Sequence, residues 1–416
     1  MHLRHQLPVH SPIPLAAALR GAGGMLRLRG DPRPAVADLL AREYAAEEVV
    51  LCGSGTQALQ LALEAGMRAA GGQPVVALPG YSCFDVASAA VGAGAAITLY
   101  DLDPETLGPD LDSLEAALAR GARVVVVSPL YGVPVDWAAL EERASRVGAL
   151  LIEDAAQGHG ASWRGRPLGS LGRLSVLSFG RGKGWTGGKG GALLLRGESL
   201  PAGSGARTLG EPALRGEAST LAGVLAQWLL GRPAVYGLPA SLPWLGLGQT
   251  LYREPSAPRR MGKGAAAMLE RTREASVRAA ASRRANARLL LEELPAGAAC
   301  IRVDPEADPG YLRLPVRLRD GMAAFPEPAD ALRLGVAPGY PSTLAALPAV
   351  RARMVDGGAR LEGAETLVRE QVTLPTHPRL TSRERSELLR VLDSCAAPAA
   401  RRAPQRDPKV GTGIAL

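Results

Sequence analysis

Between residues 35 and 195 the chain alternates two hydrophobic patterns. Stretches with apolar residues at helical spacing read as helices over 35–44, 56–70, 85–91, 111–119 and 137–147; Leu59, Leu61, Leu63 and Met67 are those of the second. Short, mostly apolar runs read as strands over 49–52, 74–78, 96–100, 124–128, 149–154, 176–179 and 192–195. A strand without a polar face has to be covered on both sides. Strands separated by helices pair mostly in parallel. The predicted fold class is therefore α/β, a mostly parallel sheet between helices.

Beyond residue 200 the pattern changes. Residues 200–258 are rich in Gly, Pro and Leu and poorly periodic. Their longest apolar region, 221–248, is broken by Arg232 and by prolines. Its unbroken piece, 221–230, is shorter than the roughly 20 residues that span a bilayer. It reads as a buried or interface helix. Residues 261–294 read as one long Ala/Arg-rich helix, followed by a strand at 311–316 and a last helix at 382–392. The expected division is a large domain with its N-terminal segment over 1–255, a smaller α+β domain over 256–395, and a disordered Pro/Arg/Ala tail over 396–416. The N-terminus lacks a clean signal peptide, because His, Pro and Arg20 interrupt its apolar stretch.

Composition narrows the possibilities. The net charge of +8 comes from arginines scattered along the chain. No compact basic block with interleaved aromatics suggests a nucleic-acid surface. The four cysteines, Cys52, Cys83, Cys300 and Cys395, are far apart and unpaired by any CxxC spacing. This argues against a zinc site or a disulfide framework and fits a reducing cytoplasm. Of 48 basic residues only Lys183, Lys189, Lys263 and Lys409 are lysines. Two of them share the loop Gly180-Arg181-Gly182-Lys183-Gly184-Trp185-Thr186-Gly187-Gly188-Lys189-Gly190. Lysine kept where arginine is the default points to a primary amine, which can form an imine with an aldehyde.

Ligands of open parallel sheets bind beyond the carboxyl ends of the strands, and three motifs fall there. Gly53-Ser54-Gly55-Thr56-Gln57-Ala58-Leu59 joins a strand to a helix, and is either an anion cradle or a tight turn with Thr56 as N-cap. It is not a Walker A loop. Glu153-Asp154-Ala155-Ala156-Gln157-Gly158-His159 ends a buried strand, where Asp154 either meets a cationic ring nitrogen or salt-bridges an arginine. His159 reads as structural. The glycine-rich loop supplies Lys183, five residues after Ser178.

A phosphate cradle, a strand-end Asp and a later lysine together make the constellation of a pyridoxal phosphate enzyme. The order Gly-Thr-x-Ala-Leu, Glu-Asp-Ala-Ala-Gln, Ser-Phe-x-x-x-Lys and Gly-Gly resembles the DegT/DnrJ/EryC1/StrS family of sugar aminotransferases. Pro79-Gly80-Tyr81-Ser82, Pro129-Leu130-Tyr131-Gly132 and Leu374-Pro375-Thr376-His377-Pro378 add to the likeness, which covers roughly 30–393. The resemblance implies a fold type I architecture: a mostly parallel, mixed seven-stranded sheet flanked by helices, plus a smaller C-terminal α+β domain. It implies that Lys183 bonds the cofactor and moves a proton, that Asp154 pairs with the pyridine nitrogen, and that Gln157 lies near the ring. Gly55, Thr56 and Ser178 would hold the phosphate.

The position where the family often carries a ring-stacking aromatic falls on Cys83, with Tyr81 and Phe84 beside it. Lys189 stands where the family commonly has Glu, and Pro258-Arg259-Arg260-Met261 replaces a segment that reaches the neighbouring subunit's phosphate site. The implied activity is transfer of an amino group from glutamate or glutamine to a keto sugar, typically nucleotide-linked, for polysaccharide or natural-product synthesis. The implied state is a cytoplasmic homodimer with small-molecule donor and acceptor, no nucleic acid, no metal and no transmembrane segment. Alternatives are a sugar dehydratase, which typically replaces the lysine with histidine, and a non-catalytic regulatory relative.

Overall fold

A computed structural model describes residues 4–26, 30–197, 209–240, 242, 250–355 and 359–395. The tail from 396, expected to be disordered, lies outside the described residues. The helices α1 (Leu15–Met25) and α2 (Arg33–Tyr44) lead into β1 (Glu48–Cys52), α3 (Gly55–Ala70), β2 (Val75–Pro79), α4 (Phe84–Gly92) and β3 (Ala96–Tyr100). Then follow α5 (Leu111–Ala119), β4 (Ala122–Val127), α6 (Trp137–Arg146), β5 (Leu150–Asp154), β6 (Ser162–Trp163), β7 (Arg166–Pro167), β8 (Leu174–Ser178) and β9 (Gly191–Leu195).

Seven of these strands form one sheet in the order β1-β9-β8-β5-β4-β2-β3. Every neighbouring pair from β8 to β3 is parallel, whereas β9 runs antiparallel to both β1 and β8. The fully apolar runs are buried as expected: Val124 to Val127 are 0% exposed. On one face they pack against α3 and α4, through Leu59, Leu63 and Val86. On the other they meet Leu40, Leu114, Trp137 and Leu269 from α2, α5, α6 and the long helix below. The mixed α/β sheet matches the expectation strand for strand.

The remaining elements are α7 (Leu214–Leu230), α8 (Pro233–Ala240), α9 (Lys263–Glu292), β10 (Ala299–Cys300), β11 (Ala307–Asp308) and β12 (Leu314–Arg317). They are followed by α10 (Pro328–Arg333), β13 (Ala337–Pro338), α11 (Pro348–Arg351), α12 (Glu362–Glu370), β14 (Gln371–Leu374) and α13 (Ser382–Cys395). An antiparallel sheet, β10-β12-β14-β13, packs on its own cluster of Leu314, Val316, Val372 and Leu388. A small third sheet, β11-β6-β7, joins the two halves of the chain.

The structure refines two readings. The helix at 221–230 begins earlier, at Leu214, and of the two alternatives, buried or interface, the first falls away: Val224 is its one fully buried residue, while Leu225 and Leu229 are 42% and 57% exposed. Its apolar residues are spread around the axis instead of forming one stripe, so a single face meets α1 and α9. It stays in place partly through Glu217, whose Oε1 accepts the Lys263 N–H at 2.9 Å and so caps α9. The N-terminal region, to which the sequence pattern assigned no element, carries α1, which lies along α9. No described helix is long and apolar enough to cross a membrane. All four cysteines are free.

The segment before α1 runs against the C-terminal sheet. The Gln6 N–H donates to the Arg333 carbonyl at 2.8 Å, and the ring Nε2 of His377 meets the Leu7 carbonyl at 2.8 Å. Burial pulls the pKa of His10 and of His159 down to about 3, and that of His377 down to about 4, from an ordinary 6.5. The unfolded chain therefore takes up protons first as pH falls, so stability present at neutral pH is lost from about pH 6.5 downward until the folded values are reached. We expect denaturant unfolding at pH 5 to show a loss of about 2 kcal/mol per histidine relative to pH 7.5.

Candidate active site

The candidate residues follow the carboxyl ends of strands running in one direction, β1, β2, β4, β5 and β8. The structure brings Gly55, Thr56, Cys83, Asp154, Gln157, Ser178 and Lys183 to the wall of a single cavity. Leu59, Val86, Pro129 and Leu130 supply its apolar lining.

One pole is the first turn of α3. A Cβ placed on Gly55 would lie 2.6 Å from the Cβ of Ser178, and one on Gly191 would lie 2.5 Å from the Gly55 nitrogen. Glycine at both positions lets the helix start directly against β8 and β9, beside the Ser178 hydroxyl. The unpaired N–H groups of that turn are a site for an anion, and the turn carries no acidic side chain. Thr56 is not the N-cap. Ser54 is, its hydroxyl accepting the Gln57 N–H at 3.2 Å. The backbone enters the helix one residue earlier than the sequence pattern suggests, which leaves Thr56 facing the cavity.

The middle is made by β5. Successive side chains point to opposite faces of a strand. Glu153 turns into the core, where the N–H groups of Gly169 at 2.6 Å and Leu171 at 2.9 Å and the Ser175 hydroxyl at 2.8 Å all donate to it. Asp154 turns into the cavity. Its carboxylate accepts the Ser128 hydroxyl at 3.1 Å and the Ala156 N–H at 3.2 Å. Burial pushes its pKa up, and the Lys183 ammonium pulls it back. No described arginine salt-bridges Asp154, so one of the two alternatives for this carboxylate falls away.

Gln157 is fixed at both ends. Its Oε1 accepts the Tyr131 N–H at 2.9 Å, and its Nε2 donates to the Tyr340 hydroxyl at 2.8 Å. It thereby holds Tyr131 in a left-handed conformation, φ 57°, that non-glycine residues seldom adopt. Among the residues around position 83, Cys83 lines the cavity. Tyr81 is fully buried, and its hydroxyl accepts the Tyr340 N–H at 2.9 Å. Phe84 belongs to the core under α3 and α4. Burial pushes the Cys83 thiol up to about 12, so it is neutral at physiological pH.

Ser82 was missed by the sequence reading. Its hydroxyl is buried at the cavity wall without a partner among the described residues. Lys189 is exposed and lies away from this cavity, along a second one beside Gln57 and Glu217. His159 is structural: it is buried, with its ring 5.6 Å from that of Trp185. No group of three or more potential metal ligands occurs among the described residues.

The donor set fits a phosphorylated heteroaromatic aldehyde. It offers neutral N–H and O–H donors at one pole, a buried carboxylate with room for a cationic N–H in the middle, and an amine at the other side. The model of the DegT/DnrJ/EryC1/StrS aminotransferase family matches residues 22–209. Over that stretch, a little under half of its length, the chain is similar to this family. Among curated relatives, L-glutamine:2-deoxy-scyllo-inosose aminotransferase of Streptomyces kanamyceticus is 41% identical over 145 residues, 35% of this chain and 34% of the relative. The enzyme of the same name from Streptomyces paromomycinus is 35% identical over 196 residues, 44% of this chain and 46% of the relative. The matched stretches thus span a third to a half of these relatives.

Solved structures extend the likeness in fold. The sugar aminotransferase CalS13 from Micromonospora echinospora is similar with a TM-score of 0.71 at 22% identity, over 93% of this chain and 98% of that one. The PMP form of a sugar aminotransferase from Streptococcus pneumoniae also gives 0.71, at 16% identity over 93% and 98%. The sheet and its helices are therefore those of fold type I aminotransferases.

The two neighbouring carboxylates should separate cleanly by mutation. Glu153→Ala strands several buried donors and should lower unfolding free energy by about 3 kcal/mol or more. Asp154→Asn keeps the cavity wall and should stay within about 1 kcal/mol of the parent. Urea unfolding of the two variants reads the difference.

Proposed function

We propose that this chain is a pyridoxal-phosphate-dependent aminotransferase that carries an amino group from glutamine or glutamate to a keto group on a polyhydroxylated ring. One observation carries the reading: Lys183, Asp154 and the α3 N-terminus with Ser178 converge on one cavity. The relatives named as glutamine-dependent inosose aminotransferases support both the donor and a keto-cyclitol acceptor. A keto sugar linked to a nucleotide presents the same ketone beside hydroxyl groups. The product would feed natural-product or polysaccharide assembly. By analogy with fold type I enzymes the protein works as a cytoplasmic homodimer. Arg259, exposed and with no side-chain partner among the described residues, would reach toward the partner subunit.

When bound, the cofactor supplies an aldehyde that reacts with amines and a ring that accepts electrons. The protein's share is placement and proton transfer. The Gly55 and Thr56 N–H groups and the Ser178 hydroxyl would hold the phosphate. Asp154 would keep the ring nitrogen protonated, because in a desolvated cavity its charge needs a cationic partner. Cys83 offers a neutral, polarizable sulfur where an aromatic face often stands. Lys183 would anchor the cofactor in the resting protein. It is the one amine among the described lining residues. Its Nζ, once free, would take the proton from the donor's α-carbon and return it at the other end of the exchange. Lysine rather than histidine at this position disfavours the dehydratase reading.

The donor's carboxylate also has a candidate partner. Arg313 lies among the phenols of Tyr131, Tyr340, Tyr236 and Tyr81, burial lowers its pKa, and its Nε has only the Pro8 carbonyl at 3.4 Å. It has no acidic partner among the described residues. We expect Arg313→Met to raise the KM for the amino donor about tenfold or more and to leave the KM for the acceptor within about twofold. Steady-state kinetics with each substrate varied in turn reads this.

The central test is covalent. Purified protein should be yellow, lose its colour to borohydride and carry the reduced adduct on Lys183 in peptide mass spectra. Lys183→Ala should lower turnover by on the order of 10³-fold or more. A Lys183→Ala protein that keeps the adduct on another residue would overturn the assignment.

A further inference from the structure

The loop that carries Lys183 joins β8 to β9 through residues 179–190, six of which are glycines. Glycine loses more conformational freedom on ordering than any other residue, so something must hold this backbone. Downstream of Lys183 the loop is locked. The Trp185 indole donates to the Leu269 carbonyl at 3.1 Å, the Thr186 hydroxyl to the Phe179 carbonyl at 3.0 Å, and the Gly187 N–H to the same carbonyl at 3.1 Å. Upstream, within the loop, there is one turn, Lys183 N–H to Gly180 carbonyl at 3.3 Å.

The missing support comes from the other end of the chain. Ser11 is 1% exposed. Its hydroxyl accepts the Gly182 N–H at 2.8 Å and donates to the Lys183 carbonyl at 2.9 Å. One hydroxyl thus bonds the peptide group before Gly182 and the one after Lys183, bracketing the two residues. Val9 closes over Gly182, with its Cγ1 3.4 Å from where a Cβ would stand, and Gly182 itself has φ +83°. A hydroxyl oxygen accepts and donates at a single atom, so alanine loses both bonds while threonine can keep them.

We infer that Ser11 is a positioning residue for Lys183: it fixes the backbone from which the reactive amine is aimed. The segment bearing it is held by the C-terminal half, through Gln6 to the Arg333 and Arg379 carbonyls and through His377 to the Leu7 carbonyl. The aim of the amine is therefore set jointly by the central sheet and the C-terminal sheet. This rests on Lys183 being the reacting amine, as proposed above.

The experiment is amide hydrogen exchange on Ser11→Ala and Ser11→Thr in the cofactor-free protein, paired with kinetics of the loaded protein. In Ser11→Ala, exchange at Gly182 should accelerate about tenfold or more while exchange over residues 4–10 and 371–380 stays at the parent rate. The loaded variant should lose about tenfold in kcat with KM for both substrates within about twofold, and Ser11→Thr should restore both readouts. Unchanged exchange at Gly182, or acceleration spread over the whole N-terminal segment, would overturn the positioning role, as would altered exchange with unchanged kcat. Failure of the aminotransferase reading shows separately, as a lack of borohydride adduct on Lys183 in the parent protein.

Discussion

The close approach of helix α3 to strands β8 and β9 constrains everything around the cavity. Two backbones meet where no side chain fits: a Cβ on Gly191 would sit 2.5 Å from the Ser54 carbonyl carbon. That contact sets the helix N-terminus against the carboxyl end of β8, so its free N–H groups and the Ser178 hydroxyl face one point. It also fixes where the loop to β9 begins. The antiparallel β9 serves the same contact, because it pairs Gly191 with Ser178 and so brings it against Ser54. Anion site and amine loop are consequences of one steric requirement.

The second organising feature is the division of labour on β5. Adjacent carboxylates on a strand face opposite ways, and burial raises the pKa of both. Glu153 meets enough donors to be satisfied within the fold and ties the turn at 169–172 to the sheet. Arg196 completes that network, donating to the carbonyls of Gly172 at 2.7 Å and Gly169 at 2.6 Å. Asp154 meets two donors and the charge of Lys183. A carboxylate with fewer donors on the cavity side stands next to one well supplied with donors on the core side, so two adjacent residues face two different environments.

The central sheet was legible because its strands are apolar on both faces and its helices carry ordinary caps; Asp110 and Asp136 each cap the helix that follows them. The residues that meet at the candidate cavity were legible for a related reason, since glycines, a strand-end Asp and a rare lysine stand out locally. What escaped was decided at long range. Helix α1 declares itself only by packing on α9. Helix α7 carries leucines without a stripe, and its capping role through Glu217 acts across 46 residues. Ser82 is marked only by an unpartnered hydroxyl at the cavity wall, which no local pattern announces. Ser11 has no local signature at all, because its two partners lie more than 170 residues away.

The scarcity of lysine has a consequence for the fate of an aldehyde in this protein. An electrophilic cofactor scavenged by surface amines is diluted among unproductive adducts. Arginine, which fills nearly every other basic position, forms no such bond. Of the three described lysines, Lys263 is partly shielded and lies 3.5 Å from Asp31, and Lys189 stands in the open. Lys183 thus competes with very few rival nucleophiles on its own chain. The surface gains its positive charge in a form that is chemically silent toward carbonyls, while the lysine proposed to react with one lines the cavity.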